Sequence, residues 1–146
     1  MLRTIETKYR NDIRPAWTIK GAINHRARFV RQSSCPGHCA VFDFIIEPYL
    51  GYAPAVFENK AELSQALAGK SGWDEIFDQF VERIYKSIGE VLDEFYDNMR
   101  PIIGVSITLR DIYIHEVDSR EMSFKIATHI AMKEILTDEN LVEIFD

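Results

Sequence analysis

The sequence predicts an α+β protein, a two-layer sandwich in which a mixed β-sheet carries two main helices on one face. Three observations support this class. Apolar residues alternate along residues 40–46 and 103–109, as in half-buried strands. Between residues 76 and 95 they recur every three or four positions, as in an amphipathic helix. With a second helix after residue 121, the order of the segments is strand, strand, helix, strand, helix.

The first third of the chain predicts an arm and a hairpin. Residues 1–16 are polar and run up to a proline, so we interpret them as a lead-in arm. Residues 26–32 are typical of a charged strand, and the Ser, Pro and Gly that follow favour a turn. In the next strand alternate side chains point to one face, which is formed by Phe42, Phe44 and Ile46. The two strands are therefore expected to form a hairpin with residues 33–39 at its tip.

The middle of the chain is dominated by one long helix. We interpret residues 47–72 as irregular because of their prolines and glycines, with a short helix at residues 60–68. The apolar stripe then predicts a core-facing helix over residues 73–97, which Asn98 and Pro101 end.

The second main helix follows the third strand. Asp118 and Glu121 have the spacing of a capping box, in which each side chain satisfies a free backbone N–H at the start of a helix. The residues expected to face the sheet are Met122, Ile126, Ala127, Ile130 and Ala131. Residues 141–145 are expected to form a short terminal strand or turn.

The length and composition indicate one domain. The chain has 146 residues, of which 47% are apolar, enough for a hydrophobic core. We divide it into the arm at residues 1–16, a core at residues 17–136 and a C-terminal segment at residues 137–146. The absence of an apolar run of about 20 residues and of a signal-peptide pattern favours a cytoplasmic location. Two cysteines are too few for a disulfide framework.

The charge is distributed unevenly along the chain. The total of −6 argues against a protein that coats nucleic acid. Residues 1–31 nevertheless carry eight Lys or Arg and two Asp or Glu, a net charge of +6. Two interpretations are open for three arginines of this segment, Arg26, Arg28 and Arg31, together with Arg110. Either they form a basic strand face that meets rRNA phosphates, or they pair with Asp43, Asp111 and the acidic long helix.

Residues 103–127 resemble the end of the fourth domain of elongation factor G. In that family a strand runs into a tip loop carrying His-Asp/Glu-Val-Asp-Ser, and a helix with a Glu-Met-Ala-Phe-Lys-type start follows. Here residues 115–119 read His-Glu-Val-Asp-Ser, and residues 121–125 read Glu-Met-Ser-Phe-Lys. Residues 131–134 continue the match. Weaker matches in the family's order cover residues 28–33, 46–48 and 57–60, so the resemblance spans residues 26–136.

The resemblance implies the fold of the second domain of ribosomal protein S5, with a left-handed βαβ crossover. It also implies a non-catalytic module that contacts the ribosome through two tip loops, without nucleotide, cofactor or membrane. The chain has no Gly-x-x-x-x-Gly-Lys-Ser/Thr phosphate loop, and we expect no enzymatic activity. The residues expected to contact ribosomal RNA are Gln32, Ser33, His38, His115, Arg28, Arg31 and Arg110. His115 takes the place of the family's second-loop histidine, which is tied to translocation.

The first tip loop departs from the family. The family's loop is glycine-rich, with an arginine and then Gln-Tyr-Gly-His, whereas residues 34–40 replace that run here and Pro36 stands at the arginine position. Proline and cysteine in place of glycine stiffen the loop. The long helix also exceeds the family's helix and is more acidic. These departures favour an alternative function, a protein–protein interaction domain that keeps the fold without RNA binding.

Four residues near the tip raise two further hypotheses. Cys35, His38, Cys39 and His115 are ligand types that zinc accepts, but the first three lie within five residues, a tight spacing for a tetrahedral site. A cysteine beside His38 is the nearest approach to a nucleophile and its base. We expect neither a metal site nor a catalytic residue.

Overall fold

The structure, a computed structural model, describes residues 1–10, 15–32 and 37–144. In chain order the elements are β1 (Arg3–Thr4), β2 (Ala16–Ile19), β3 (Ile23–Arg31), β4 (His38–Pro48), β5 (Ala55–Asn59), α1 (Gln65–Ala68), α2 (Trp73–Asp97), β6 (Val105–Tyr113), α3 (Glu121–Ile135) and β7 (Leu141–Ile144). None of the helices within these ranges is both long enough and apolar enough to cross a membrane.

Five strands form a mixed sheet in the order β1-β5-β6-β4-β3, and β2 and β7 form a separate two-stranded sheet. β3 and β4 make the predicted antiparallel hairpin, and β4 also pairs antiparallel with β6. β5 runs parallel to β6, so that β5, α2 and β6 make a βαβ unit. The predicted mixed α+β fold is therefore confirmed, and the left-handed course of the crossover stays a prediction.

β5 corrects the interpretation of residues 47–72 as irregular. Ala55, Val56 and Phe57 are all buried, so this strand lacks the alternation that reveals a half-buried strand. The N-terminal segment covers its outer edge, because β1 pairs antiparallel with β5 and the Ile5 N–H donates to the Ala55 carbonyl at 2.9 Å. The short helix expected at residues 60–68 is limited to α1.

Both main helices pack on the same face of the sheet. Phe42, Phe44 and Ile46 of β4 are buried there, as predicted. α2 has the predicted bounds and buries its apolar stripe, which consists of Phe77, Phe80, Val81, Ile84, Ile88, Val91 and Leu92. Phe124 of α3 lies with its ring centroid 4.7 Å from that of Phe80 and 6.3 Å from that of Phe42. Complete burial of such a ring contributes roughly 1.5–3 kcal/mol.

The predicted capping box of the second main helix is wrong. α3 begins at Glu121 with Arg120 as its N-cap residue, and no side chain caps it. Asp118 lies further back in the loop, where its N–H donates to the imidazole of His115 at 3.0 Å. The loop therefore uses Asp118 for its own turn, and the helix starts at Glu121, two residues later than the capping box predicts.

The predicted buried face of this helix is partly wrong. Met122 and Ile130 are exposed, whereas Ala127 and Ala131 are buried as expected. The residues that face the core are Ser123, Phe124, Ala127, Thr128, Ala131, Met132 and Ile135. This stripe is rich in small and hydroxyl side chains, so its helical period is hard to recognise from apolar residues alone.

A β-bulge in β6 decides which side of the sheet the last residues of this strand face. The pairing of β4 with β6 shifts register between Asp43 and Phe44, which leaves Arg110 as the extra residue. A bulge of this kind reverses the inward and outward alternation beyond it. Ile112 is consequently buried, and Tyr113 points to the opposite, exposed side of the sheet.

Candidate functional site: the tip of the sheet

Two loops meet at one end of the sheet and form a surface that we call the tip, residues 37–39 and 114–120. The Cys39 N–H donates to the Asp118 carbonyl at 3.0 Å, and the Ser119 hydroxyl donates to the Cys39 carbonyl at 2.7 Å. The Arg120 guanidinium adds a third link, from Nε to the Gly37 carbonyl at 3.1 Å. The convergence of the two loops that the resemblance implies is present in these residues.

Gly37 lies against the side chain of Asp118. A Cβ atom at this position would clash with Oδ1 of Asp118 and would lie 2.9 Å from its Cγ. Any larger residue would therefore displace the Asp118 carboxylate, although the hydrogen bonds that join the two loops do not involve that group.

His115 is fixed by its own loop. Its N–H donates to the Ser119 hydroxyl at 2.8 Å, and its ring Nδ1 accepts from the N–H groups of Val117 at 3.3 Å and Asp118 at 3.0 Å. A ring nitrogen that accepts two N–H bonds carries no proton, so the neutral imidazole holds its proton on Nε2. The exposed half of the ring therefore presents an N–H donor at the tip.

His38 lies on the helix-facing side of the hairpin. Arg120 Nη2 lies 2.9 Å from Nε2 and 3.3 Å from Nδ1 of His38, and Nδ1 also lies 2.9 Å from the Ser123 hydroxyl. The ring also packs on Phe29 at 5.3 Å between centroids. The half-buried His38 thus links the hairpin to the first turn of α3.

The arginines of the predicted basic face are divided between two faces. Arg26 pairs with Asp43 through two bonds of 2.7 and 2.9 Å. This hydrogen bonding lowers the pKa of Asp43 below its usual value. Arg28 and Arg110 are exposed and have no carboxylate within salt-bridge distance among the described residues. Arg31 points to the side of Phe29, with its guanidinium 5.1 Å from that ring.

The acidic long helix pairs with the N-terminal arm rather than with the strand arginines. Arg3 forms a salt bridge with Glu82 at 2.8 Å, and Lys8 forms one with Asp97 at 2.9 Å. Of the two interpretations of the basic segment, pairing therefore holds for Arg3, Lys8 and Arg26. Arg28 on the outer side of β3 is left for other contacts.

The first loop is described only in part. Gln32 is exposed in the turn after β3, whereas Ser33 and Cys35 lie outside the described residues. Cys39 and His38 are strand neighbours and point to opposite faces, so they cannot chelate one ion. Burial raises the pKa of the Cys39 thiol. Within the described ranges no group of three His, Cys, Asp or Glu side chains has the geometry to hold a metal ion.

Three further residues belong to the site and escaped the sequence analysis. Arg120 and Ser123 hold His38, and Lys70 of the loop before α2 forms a salt bridge with Glu116 at 2.8 Å. Arg120 carries no sequence signal of this role, because arginine at an N-cap position has no special preference. The contact of Lys70 joins residues that are 46 positions apart and depends on the fold alone.

Comparisons with known proteins agree with this architecture. Residues 12–139 match the family described as elongation factor G, domain IV. Among solved structures, the chain is similar to the crystal structure of ttk003000868 from Thermus thermophilus, with a TM-score of 0.65 and 18% sequence identity. The alignment covers 90% of this chain and 18% of that chain, so the present protein corresponds to less than a fifth of the larger one. At this identity the likeness shows a shared fold.

Proposed function

Since the chain belongs to the elongation factor G domain IV family and is a translation-factor-related module, we propose that it contacts the ribosome through its tip. Domain IV of this family is non-catalytic, and we extend that property to this chain. The proposed contact residues are Gln32, Ser33, His38, His115, Arg28, Arg31 and Arg110. A role at the ribosome also implies a cytoplasmic location.

The arrangement of His115 is the observation that carries the proposal. The two N–H bonds to Nδ1 orient the ring, and the exposed Nε2–H then offers a hydrogen bond to a phosphate or a base edge. The donor stands where two loops meet, and Lys70 reaches the same loop, where it forms a salt bridge with Glu116. A pre-oriented donor loses little conformational entropy on binding.

Ribosome co-sedimentation tests the proposal. We expect the folded protein to sediment with the small ribosomal subunit at about 50 mM salt and to be released as the salt concentration rises. The variant His115→Asn retains an acceptor near the position of Nδ1 but removes the Nε2–H donor. We expect it to bind about fivefold to tenfold more weakly, the value of one lost hydrogen bond.

The histidine of β3 provides a matched control. His25 contacts Glu134 at 3.1 Å, away from the tip, so His25→Asn is expected to bind like the wild type. Absence of the folded wild-type protein from the ribosomal pellet at low salt would refute the proposal. Equal binding by His115→Asn would remove this histidine from the contact surface.

A second candidate function is protein docking at the opposite end of the sheet. Leu50 and Tyr52 are fully exposed in the turn between β4 and β5. The turn is held in shape, because the Tyr49 N–H donates to the Gly104 carbonyl at 2.8 Å. A Cβ atom at Gly51 would clash with the Tyr49 hydroxyl, so the turn packs against itself. Exposed apolar and aromatic side chains on a turn with a defined backbone are typical of protein contact sites.

The two functions are distinguished by a double variant. Leu50→Ser with Tyr52→Ser is expected to bind ribosomes normally under the first proposal. If the second is correct, a protein partner purified with the wild type is lost from the double variant and retained by His115→Asn, and no rRNA accompanies it.

A further inference from the structure

We infer that the sheet itself, beside the tip, carries a stacking platform for a single-stranded RNA segment, centred on Tyr113. This inference rests on the proposed function and specifies its ligand. The relevant surface is the open face, defined here by the outward side chains of β3, β4 and β6 next to the tip: Arg26, Arg28, Val30, Cys39, Val41, Asp43 and Tyr113.

Tyr113 is an exposed aromatic residue on the face of the sheet that no helix of the described residues covers. Its side of the sheet is opposite to α2 and α3, and 47% of the residue is accessible. Ile112 is buried and Ile114 packs against the core, so Tyr113 between them lies on the side away from the helices. The bulge at Arg110 produces this orientation, because strict alternation from the buried Leu109 would turn position 113 inward.

The ring of Tyr113 is held in place by an ion pair. Its hydroxyl donates to Asp43 Oδ2 at 3.3 Å and accepts from Arg26 Nη2 at 3.3 Å. Arg26 and Asp43 are themselves joined by two short bonds, and the guanidinium carbon lies 5.1 Å from the ring centroid. A fixed aromatic ring loses little side-chain freedom when a base stacks on it. The Arg26 guanidinium lies over the ring and the ion pair holds its hydroxyl, while 47% of the residue remains accessible.

Arg28 supplies the phosphate contact beside this ring. The strand register places Arg28 opposite Val41, and Val41 opposite Tyr113. Two strand spacings separate the outer residues, about 9.6 Å between backbones. The row contains no acidic residue, and Arg28 has no carboxylate partner among the described residues. The acidic Asp111 belongs to the next row away from the tip. The distribution of charge therefore favours an RNA strand that runs over Arg28 and Tyr113 toward His115.

The chemistry favours single-stranded RNA over a protein ligand. Proteins that bind unpaired bases combine exposed aromatic rings on a sheet with cationic side chains along the backbone path. Here a ring held by an ion pair and an arginine without a carboxylate partner among the described residues lie on the same side of three adjacent strands. In the described part of the open face, the apolar side chains next to the ring are Val30, Cys39 and Val41, none of which is the large anchor that a protein partner would require.

RNA binding by matched tyrosine variants tests the inference. The probe is a fluorescently labelled single-stranded oligoadenylate, measured by anisotropy at about 50 mM salt. Loss of a stacked base is expected to weaken binding by Tyr113→Leu about 5- to 100-fold. Tyr113→Phe retains the ring and is expected to remain closer to the wild type. Tyr52→Leu removes a fully exposed tyrosine from the other end of the sheet and should have no effect.

Arg28→Gln provides an independent readout of the same site. Removal of one phosphate contact is expected to reduce the slope of log affinity against log salt by about 0.7. Double-stranded RNA of the same length is expected to bind more weakly, because its bases cannot stack on the ring.

Three outcomes separate this inference from the proposed function. Wild-type affinity of folded Tyr113→Leu for the oligonucleotide would overturn the platform while ribosome binding stands. Equal effects of Tyr113→Leu and Tyr52→Leu would also overturn it. If the wild type binds neither ribosomes nor RNA, both the proposed function and the platform are refuted.

Discussion

The Ser119 hydroxyl donates a hydrogen bond of 2.7 Å to the carbonyl of Cys39, which lies 80 positions earlier in the chain. The same oxygen accepts the N–H of His115 at 2.8 Å. One buried hydroxyl thus joins the start of β4 to the second tip loop and also closes that loop. The resemblance marks Ser119 as part of a motif, and the structure gives its physical role.

Ser119→Ala is expected to destabilise the protein by about 1–3 kcal/mol, because it leaves the Cys39 carbonyl and the His115 N–H without their partner. Chemical denaturation followed by circular dichroism measures the free energy of unfolding. Glu121→Ala is the control, since Glu121 is exposed and makes no capping bond. We expect it to remain within about 0.5 kcal/mol of the wild type. A larger loss from Glu121→Ala than from Ser119→Ala would restore the capping-box interpretation.

The tautomer of His115 is a second prediction. Because Nδ1 accepts from Val117 and Asp118, the neutral ring carries its proton on Nε2. Long-range proton–nitrogen correlation spectra of the neutral rings, recorded well above the usual histidine pKa of about 6.5, are expected to show Nδ1 as the unprotonated nitrogen. A proton on Nδ1 of the neutral His115 ring would contradict the hydrogen bonds of this loop.

The pair of Arg26 and Asp43 predicts an acid-dependent loss of stability. Hydrogen bonding to Arg26 lowers the pKa of Asp43 below the ordinary value of an aspartate. A carboxyl group whose pKa is lower in the folded state stabilises the protein above its unfolded pKa, and this stabilisation is lost as the pH falls through the folded pKa. The free energy difference between wild type and Asp43→Asn is therefore expected to be constant from about pH 7 to about pH 5 and to vanish at lower pH.

Urea denaturation at a series of pH values measures this difference. Asp111→Asn is the control, because Asp111 is an exposed aspartate of the neighbouring strand with no ion pair among the described residues. It is expected to show no such pH dependence. A wild-type advantage over Asp43→Asn that persists below about pH 2 would contradict the role of the ion pair.

Much of the fold was accessible from local patterns. The stripe of α2 and the alternation of Phe42, Phe44 and Ile46 each repeat over several turns or pairs, so the period of the pattern identifies the element. β5 was not predicted from the sequence, because a short strand buried on both faces has no alternation of apolar and polar residues. The bulge at Arg110 was not predicted either, since one extra residue does not alter the composition and is seen only in the pairing with β4.

The candidate site was accessible to a smaller extent. The motif at residues 115–119 predicts a tip loop, but the bonds that join this part of the chain to Gly37 and Cys39 are long-range and have no period. Tyr113 illustrates the same limit. Its exposure depends on the bulge, and its support depends on Arg26 and Asp43 in two other strands. Side chains that act together from three strands become recognisable only when the register of the sheet is known.

The side of α3 that faces the core can be tested by the same Met→Ala substitution at two positions of this helix. Met132 is 1% exposed, whereas Met122, one of the residues expected to be buried, is 51% exposed. Met132→Ala is expected to cost about 2–5 kcal/mol, because it removes core contacts and leaves a cavity beside the sheet. Met122→Ala is expected to change the free energy of unfolding by less than about 0.5 kcal/mol. Since both substitutions have the same effect on helix propensity, their difference measures burial alone, and equal losses would show that α3 is rotated from the orientation described.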